Sequence, residues 1–288
     1  MASSEITIGT AAKLVAWVDE AGSVLIVESE QWQEVARFDV VYSPGGRRLA
    51  LVPGEPPVLV TADYHEGMAG YDARTGAQLW ARRKDVAHVQ HVAFVGGARP
   101  TVAITREGKP GASLNPLNGK SIHPLRGASR VFGQEAGRAF VWTTRRDWQL
   151  QQFNAWVDLR SGPAARGKCP DTLMAAELDE SRILLGWANQ VESRRPDGAL
   201  EWTWPVPDAR LLHGVASAAS GGVWAWTWDP VNSGPERIHV IDTDGTELSN
   251  VDTEPFSIAI VPRSDLLLTT DRRVLHLPSL ELLRAFQL

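Results

Sequence analysis

A short turn recurs along this chain and sets its period. In "YDARTGAQLW" (residues 71–80) Asp72 stands four residues before Gly76 and Trp80 four after it. "LNPLNGKSIH" repeats the spacing with Asn115 and Gly119, and "VDLRSGPAAR" with Asp158 and Gly162. "RRPDGALEW" pairs Gly198 with Trp202, and "VIDTDGTELS" carries the turn at Asp244-Gly245. Degenerate copies lie near Trp32 and Leu280. Positions 32, 76, 119, 162, 198, 245 and 280 are on average about 41 residues apart, so seven units account for the 288 residues. Glycine supplies the positive φ of a tight hairpin, and an Asp or Asn before it can hydrogen-bond the turn's backbone.

Between these turns lie short β-branched and aromatic runs such as "VLVTAD", "TVAITREG", "RAFVWTT", "RILLGW", "RIHVID" and "LLLTTD", with little helical periodicity. Each period has room for four strands. The second reads as "FDVVYSP", "PPVLVTAD", "GMAGYDA" and "AQLWARR", and the third as "VQHVAFV", "PTVAITR", "GASLNP" and "KSIHPL". Four strands in 40 to 45 residues make one blade of a β-propeller, whose ring leaves only short protected edges. The expectation is all-β: a single seven-bladed β-propeller with four antiparallel strands per blade. The expected blades are 5–38, 39–84, 85–126, 127–170, 171–207, 208–254 and 255–288. "EITIG" (residues 5–9) reads either as the first strand of blade one or as a closing strand for blade seven.

"YDARTGAQLW" resembles the PQQ-type propeller repeat through Asp72, Thr75, Gly76 and Trp80, which "LNPLNGK" and "RPDGALEW" match in part. "VVYSPGGRRLA" (residues 40–50) is similar to the first strand and turn of WD40-like repeats. This WD40/PQQ-like resemblance implies a fold and no particular activity. The quinoprotein dehydrogenases that share the repeat carry a vicinal cysteine pair and a metal site beside the quinone, whereas this chain has one cysteine, Cys169. The outer-membrane assembly propellers that share it are exported lipoproteins, and no export signal or lipobox is visible here.

A single cysteine excludes an intramolecular disulfide and a Cys-based zinc site. The net charge of −5 argues against a nucleic-acid partner. No stretch approaches the roughly 20 apolar residues of a spanning helix. A cytoplasmic protein is expected, with no membrane contact, and the low Lys share of its basic residues suggests a GC-rich bacterial genome. None of the common nucleotide, protease or hydrolase motifs is present. His88 and His91 in "HVQH" would share a metal only on a helix, and in a strand they face opposite ways. No metal or cofactor is expected.

Twelve tryptophans are the compositional oddity. "VWAWTWDP" puts Trp224, Trp226 and Trp228 on one strand face, and core packing is expected of Trp224 and Trp226. The turns between the second and third strands of each blade gather Tyr64, His65, Arg106, Arg145, Arg146, Trp148, Trp187, Trp228, Arg272 and Arg273. Tyr, Trp and Arg dominate interface hot spots, so these residues are the candidate partner-binding set. The expected function is a non-catalytic protein-interaction scaffold or recognition subunit of a bacterial multiprotein assembly. A small-molecule or glycan binder stacking on Tyr64, Trp148, Trp187 and Trp228 is the alternative. A metal-dependent hydrolase or lyase at the channel is the third reading.

Overall fold

In a computed structural model the chain is described over residues 5–9, 13–19, 21–42, 48–83, 88–96, 100–133, 138–143, 147–152, 165–178, 181–207, 210–231, 236–253 and 258–287. Side chains are described there except at 5–9, 133, 138–143, 147–148, 150–152, 165 and 258. The strands form antiparallel four-stranded sheets, each wound in chain order.

Sheet one holds β1 (Glu5–Gly9), β2 (Leu14–Val18), β3 (Ser23–Glu28) and β4 (Gln33–Asp39). Sheet two holds β5 (Leu49–Val52), β6 (Val58–Asp63), β7 (Gly67–Asp72) and β8 (Gln78–Arg82), and sheet three β9 (Val89–Val95), β10 (Thr101–Arg106), β11 (Lys109–Leu114) and β12 (Ser121–Leu125). The fourth set is β13 (Ala128–Gly133), β14 (Arg138–Thr143), β15 (Asp147–Gln152) and β16 (Ala165–Lys168). Sheet five holds β17 (Leu173–Leu178), β18 (Ile183–Trp187), β19 (Gln190–Arg194) and β20 (Leu200–Pro205). Sheet six holds β21 (Leu211–Ser217), β22 (Val223–Trp228), β23 (Arg237–Ile241) and β24 (Glu247–Asp252), and sheet seven β25 (Ile258–Ile260), β26 (Leu266–Thr269), β27 (Arg273–His276) and β28 (Glu281–Ala285).

The chain divides into two compact units, Met1–Ala164 and Ala165–Leu288, and the boundary falls inside the fourth set. Six sheets lie whole within a unit, so six complete blades replace the seven expected. The departure has a local cause. β16 reads "ARGK", without a β-branched or aromatic residue to pack on a neighbour, and the expected turn at Gly162 lies outside the described residues. A second correction concerns the start of sheet two. "FDVVYSP" does not form its first strand: Phe38 and Asp39 end β4, and "LALV" forms β5. An unbroken apolar run hides the point where one sheet hands over to the next. "EITIG" pairs with β2, which makes it the first strand of sheet one.

Within each unit, consecutive sheets stack face to face. In the first, one apolar cluster joins sheets one and two through Leu14, Ile26, Leu51 and Leu59, and another joins two and three through Val60, Met68, Val92 and Ile104. In the second, Leu184, Trp204, Leu212 and Val223 join sheets five and six. Trp224, Trp226 and Leu267 join six and seven. The second strands β2, β6, β10, β18 and β22 are buried along nearly their whole length, so they read as largely continuous apolar runs rather than alternating ones. Each fully buried Val, Leu or Ile contributes roughly 1.5–3 kcal/mol. The core placement expected of Trp224 and Trp226 holds, at 3% and 8% exposure.

The recurring turns share one backbone state. Gly76, Gly119, Gly198 and Gly245 have φ of 73°, 66°, 87° and 90°, and the degenerate anchors Trp32 and Leu280 adopt 54° and 57°. Asp72 accepts a bond from the Arg74 N–H on Oδ1, and Asn115 accepts one from the Leu117 N–H in the same way. Over three of these turns lies an aromatic ring from the outer strand of the preceding sheet. A β-carbon on Gly76 would sit 2.6 Å from Phe38, one on Gly119 2.6 Å from Trp80, and one on Gly245 3.0 Å from Trp202. The Trp80 and Trp202 indoles donate to Pro116 O (2.6 Å) and Thr243 O (2.8 Å) of those turns.

Gly119 and Gly108 separate the two constraints, because Gly108 has φ +65° and nothing within 4 Å of a β-carbon. Gly108→Ala should cost about 1 kcal/mol from its left-handed backbone alone. Gly119→Ala should cost at least about twice that, because the Trp80 ring must also move. Urea-unfolding midpoints of the two variants check the difference.

Candidate interaction edge

An antiparallel meander turns back at alternate edges, so the second-to-third-strand turns share an edge with the connections that lead from one sheet to the next. Sheets two and three use this to assemble a side-chain cluster. Asp63 Oδ1 accepts from the His65 and Glu66 N–H groups (2.7 and 2.9 Å), which folds the β6–β7 turn and projects Tyr64 and His65. The connection into β9 brings His88 (φ 65°), whose N–H donates to Tyr64 O at 2.6 Å. In the β10–β11 turn the Glu107 N–H donates to His88 O at 3.0 Å.

These backbone bonds bring the rings together. Tyr64 meets His65 and His88 edge-on, with centroids 4.7 and 5.3 Å apart, and the Arg48 guanidinium lies 5.9 Å from the Tyr64 centroid. The Tyr64 hydroxyl donates to Glu107, which raises its pKa above the usual phenol range and keeps it a donor. His65 and Glu107 are exposed, and Tyr64, His88 and Arg48 half-buried. The cluster presents a phenol, two imidazoles, a carboxylate and a guanidinium within one turn's breadth. Such groups make charge-assisted, cation–π and edge-to-face contacts.

The other expected residues fare differently. The Arg106 guanidinium turns back to brace its own hairpin, donating to Pro110 O from Nε and Nη2 (2.9 and 2.7 Å). Arg145 and Arg146 lie outside the described residues, as does the Trp148 side chain, although its backbone pairs with Trp142 in β14–β15. Trp187 is not a rim residue: at 0% exposure it closes the buried β18, because that strand is covered on both faces. Arg272 is likewise buried (4% exposed), at a left-handed turn whose carbonyl accepts the Phe286 N–H. Arg273 pairs with Asp271 at 2.6 Å. Trp228 does reach the surface, at 38% exposure, followed by Val231 at 82%.

His88 and His91 do not share a ligand. His91 is buried against Phe132, with centroids 5.2 Å apart, while His88 belongs to the Tyr64 cluster. Among the described residues no three His, Cys, Asp or Glu side chains come together as a metal site. Sequence reading missed Arg48, His88 and Glu107 as neighbours of Tyr64. Their signal was their position in connections that a meander returns to the same edge.

Sheets five and six enclose a polar chain of a different kind. Arg210 Nε donates to Thr227 Oγ1 (2.8 Å), and Thr227 Oγ1 lies 3.1 Å from His239 Nε2. His239 Nδ1 lies 3.0 Å from Glu247 Oε1, and the Trp204 indole donates to Glu247 Oε2 (3.2 Å). Burial lowers the His239 pKa and outweighs the opposing pull of Glu247. The ring is therefore neutral, donating from Nδ1 to the carboxylate and accepting the threonine proton at Nε2. Burial pushes the Glu247 carboxyl up, but bonds from His239, Asn250 and Trp204 more than offset it and hold it below its ordinary value. This chain satisfies polar groups inside the stack, from half-buried Arg210 to half-buried Glu247.

No protein-family model and no curated protein matches the chain. Its backbone is similar to solved structures across nearly its whole length. The β-propeller domain of Myceliophteria thermophila Cps50 (Swd1) aligns with a TM-score of 0.71 at 13% identity, covering 96% of this chain and 94% of that one. The computationally designed Ika8 protein aligns at 0.65 and 12%, covering 99% and 86%. BBS1N, solved in complex with ARL6DN, aligns at 0.62 and 13%, covering 94% and 89%. At such identities the likeness shows the fold alone: a β-propeller with four antiparallel strands per blade. No match names a repeat family for it.

The depressed His239 pKa has a definite sign. The unfolded state takes up a proton as pH falls through about 6.5 and the folded state does not, so stability is full above that pH and declines below it. Glu247 follows the same direction, but only below its ordinary value of 4.5. Between pH 7.5 and 5.5 the melting temperature of the wild type should fall more than that of His239→Gln, read by calorimetry at both pH values.

Proposed function

We propose that this propeller is a non-catalytic recognition subunit that presents the edge carrying Tyr64, His65, His88 and Glu107 to a protein partner. The observation that supports this most is the cluster itself. Five side chains of four chemical kinds, from four separate connections, are held by backbone hydrogen bonds, with the Tyr64 hydroxyl fixed as a donor. A pre-ordered patch of this kind loses little side-chain entropy on binding, and it includes a Tyr and an Arg, residue types on which interface energy concentrates. A propeller suits the task because rigid sheets hold many turns at one edge. BBS1N, which has this fold, is seen in a protein complex with ARL6DN. The glycan reading loses one of its four stacking platforms, because Trp187 is buried.

Affinity capture from the native host with wild type, Tyr64→Ala/His65→Ala and Leu248→Ala tests the reading. Leu248 is exposed on the outer strand β24 and serves as the control. A partner recovered stoichiometrically by wild type and Leu248→Ala should fall about tenfold or more with the double variant, at unchanged melting temperature. Equal recovery by all three, or no partner for any, overturns it.

A further inference from the structure

Three of the recurring turns place an acid or its amide directly before the glycine. Asn118-Gly119 is the chain's one Asn-Gly pair, and Asp197-Gly198 and Asp244-Gly245 are its two Asp-Gly pairs. The three turns are built alike. In each, the side-chain Oδ1 accepts the N–H two residues on: Asn118 from Lys120 at 3.0 Å, Asp197 from Ala199 at 2.9 Å and Asp244 from Thr246 at 2.9 Å. In each, the glycine N–H is tied back to a carbonyl, Asn115 O (2.8 Å), Arg195 O (2.8 Å) and Asp242 O (3.1 Å) respectively. Asn118, Asp197 and Asp244 are all exposed.

The ring closed by the Oδ1 bond runs through the glycine nitrogen. The side-chain carbon and the nitrogen that could attack it are therefore held in one small ring. Attack would push electrons onto Oδ1, where the donated N–H stabilises them as an oxyanion donor does. A glycine nitrogen has no neighbouring β-carbon to hinder it. With the geometry alike, the electrophile decides. Asn118 offers an uncharged amide. The N–H bonds from Ala199 and Thr246 hold the Asp197 and Asp244 carboxyls below their ordinary pKa, as carboxylates that repel a nucleophile.

We propose that Asn118 is a site of spontaneous deamidation in the folded chain, and that its isoaspartate product unseats the Trp80 ring that joins sheets two and three. The Gly119 nitrogen gives its proton to solvent base and bonds to Asn118 Cγ. The Cγ–Nδ2 bond breaks, ammonia leaves with a proton from solvent, and a succinimide remains. Water opens that ring, its hydroxyl going to carbon and its proton to nitrogen. Breaking the new N–Cγ bond leaves an aspartate at position 118 and an unchanged backbone. Breaking the bond to the main-chain carbonyl carbon leaves an isoaspartate, whose backbone is one methylene longer.

The aspartate alters only an exposed side chain. The isoaspartate lengthens the turn where its fit is closest. A β-carbon on Gly119 would already lie 2.6 Å from the Trp80 ring, whose indole donates to Pro116 O (2.6 Å), while Arg82 Nη1 donates to Gly119 O (2.6 Å). A close-packed contact of this kind does not absorb an inserted carbon without shifting. The turn lies on the edge opposite the Tyr64 cluster, and its chemistry is independent of the partner-binding reading.

The test incubates the purified whole chain at mildly alkaline pH, folded and in urea, and follows its tryptic peptides by chromatography and mass spectrometry. In the folded chain Asn118 should convert at least about tenfold faster than any other asparagine deamidates, and than Asp197 or Asp244 isomerises. The rate should rise with pH, because the Gly119 nitrogen must lose its proton. The isolated isoaspartate form should unfold at lower urea concentration than wild type, with altered tryptophan emission. Asn118→Asp, equivalent to the other product, should keep the wild-type midpoint. No conversion at Asn118 in the folded chain overturns the inference, whatever happens in urea. Reaction at Asp197 or Asp244 that keeps pace with Asn118 overturns it too, as does an isoaspartate form as stable as wild type.

Discussion

A ring from the outer strand of one sheet rests on the left-handed turn of the next, and the stacking of these sheets depends on it. The contact works because each partner lacks something. The glycine has no β-carbon, so the ring can approach to van der Waals distance, and it tolerates the positive φ that closes the hairpin. The indole needs an acceptor when covered, and the turn's carbonyls supply one for Trp80 and Trp202. Trp80 is enclosed on its other side too, since its cross-strand partner is Gly70, where a β-carbon would lie 2.4 Å from the ring. Trp226 sits opposite Gly214 in the same manner. Large rings and absent side chains are thus matched across strands and across sheets.

This arrangement explains why the repeat is strict in conformation and loose in sequence. Trp32 and Leu280 occupy the turn position with the same backbone sign as the glycines. For a non-glycine residue that costs roughly 1–2 kcal/mol, which burial elsewhere offsets. Leu280 packs against the core cluster of sheets six and seven and so recovers part of the cost.

With the stack held in this way, the two edges of each sheet are released from structural duty, and they differ. One edge gathers the Tyr64 cluster in the first unit. The other gathers, in the second unit, a cleft lined by Ser181, Arg182, Ser193, Ser217, Thr243 and Arg263. Buried polarity is handled separately, by the chain from Arg210 to Glu247, where a neutral histidine passes hydrogen bonding from a threonine to a carboxylate. A propeller can therefore carry distinct chemistries without disturbing its core, and fold alone says little about which is used.

The sequence by itself determined most of the strands, the four-strand period and the turn glycines at 76, 119, 198 and 245, because each rests on contacts within about ten residues: alternation, turn chemistry and left-handed backbone. It also determined that Trp224 and Trp226 are core, since an apolar strand between two sheets has no exposed face. Only the tertiary structure decided what depends on residues about 40 apart. Trp187 and Trp228 each end the second strand of a blade and look alike in sequence, yet one is buried and the other exposed, because cover comes from whatever packs on that strand. Arg272 reads as a surface charge and is buried for the same reason. His88, Arg48 and Glu107 join Tyr64, and Arg263 joins Arg182, through turns of different sheets. No local pattern encodes those meetings, which exist only once the sheets have stacked.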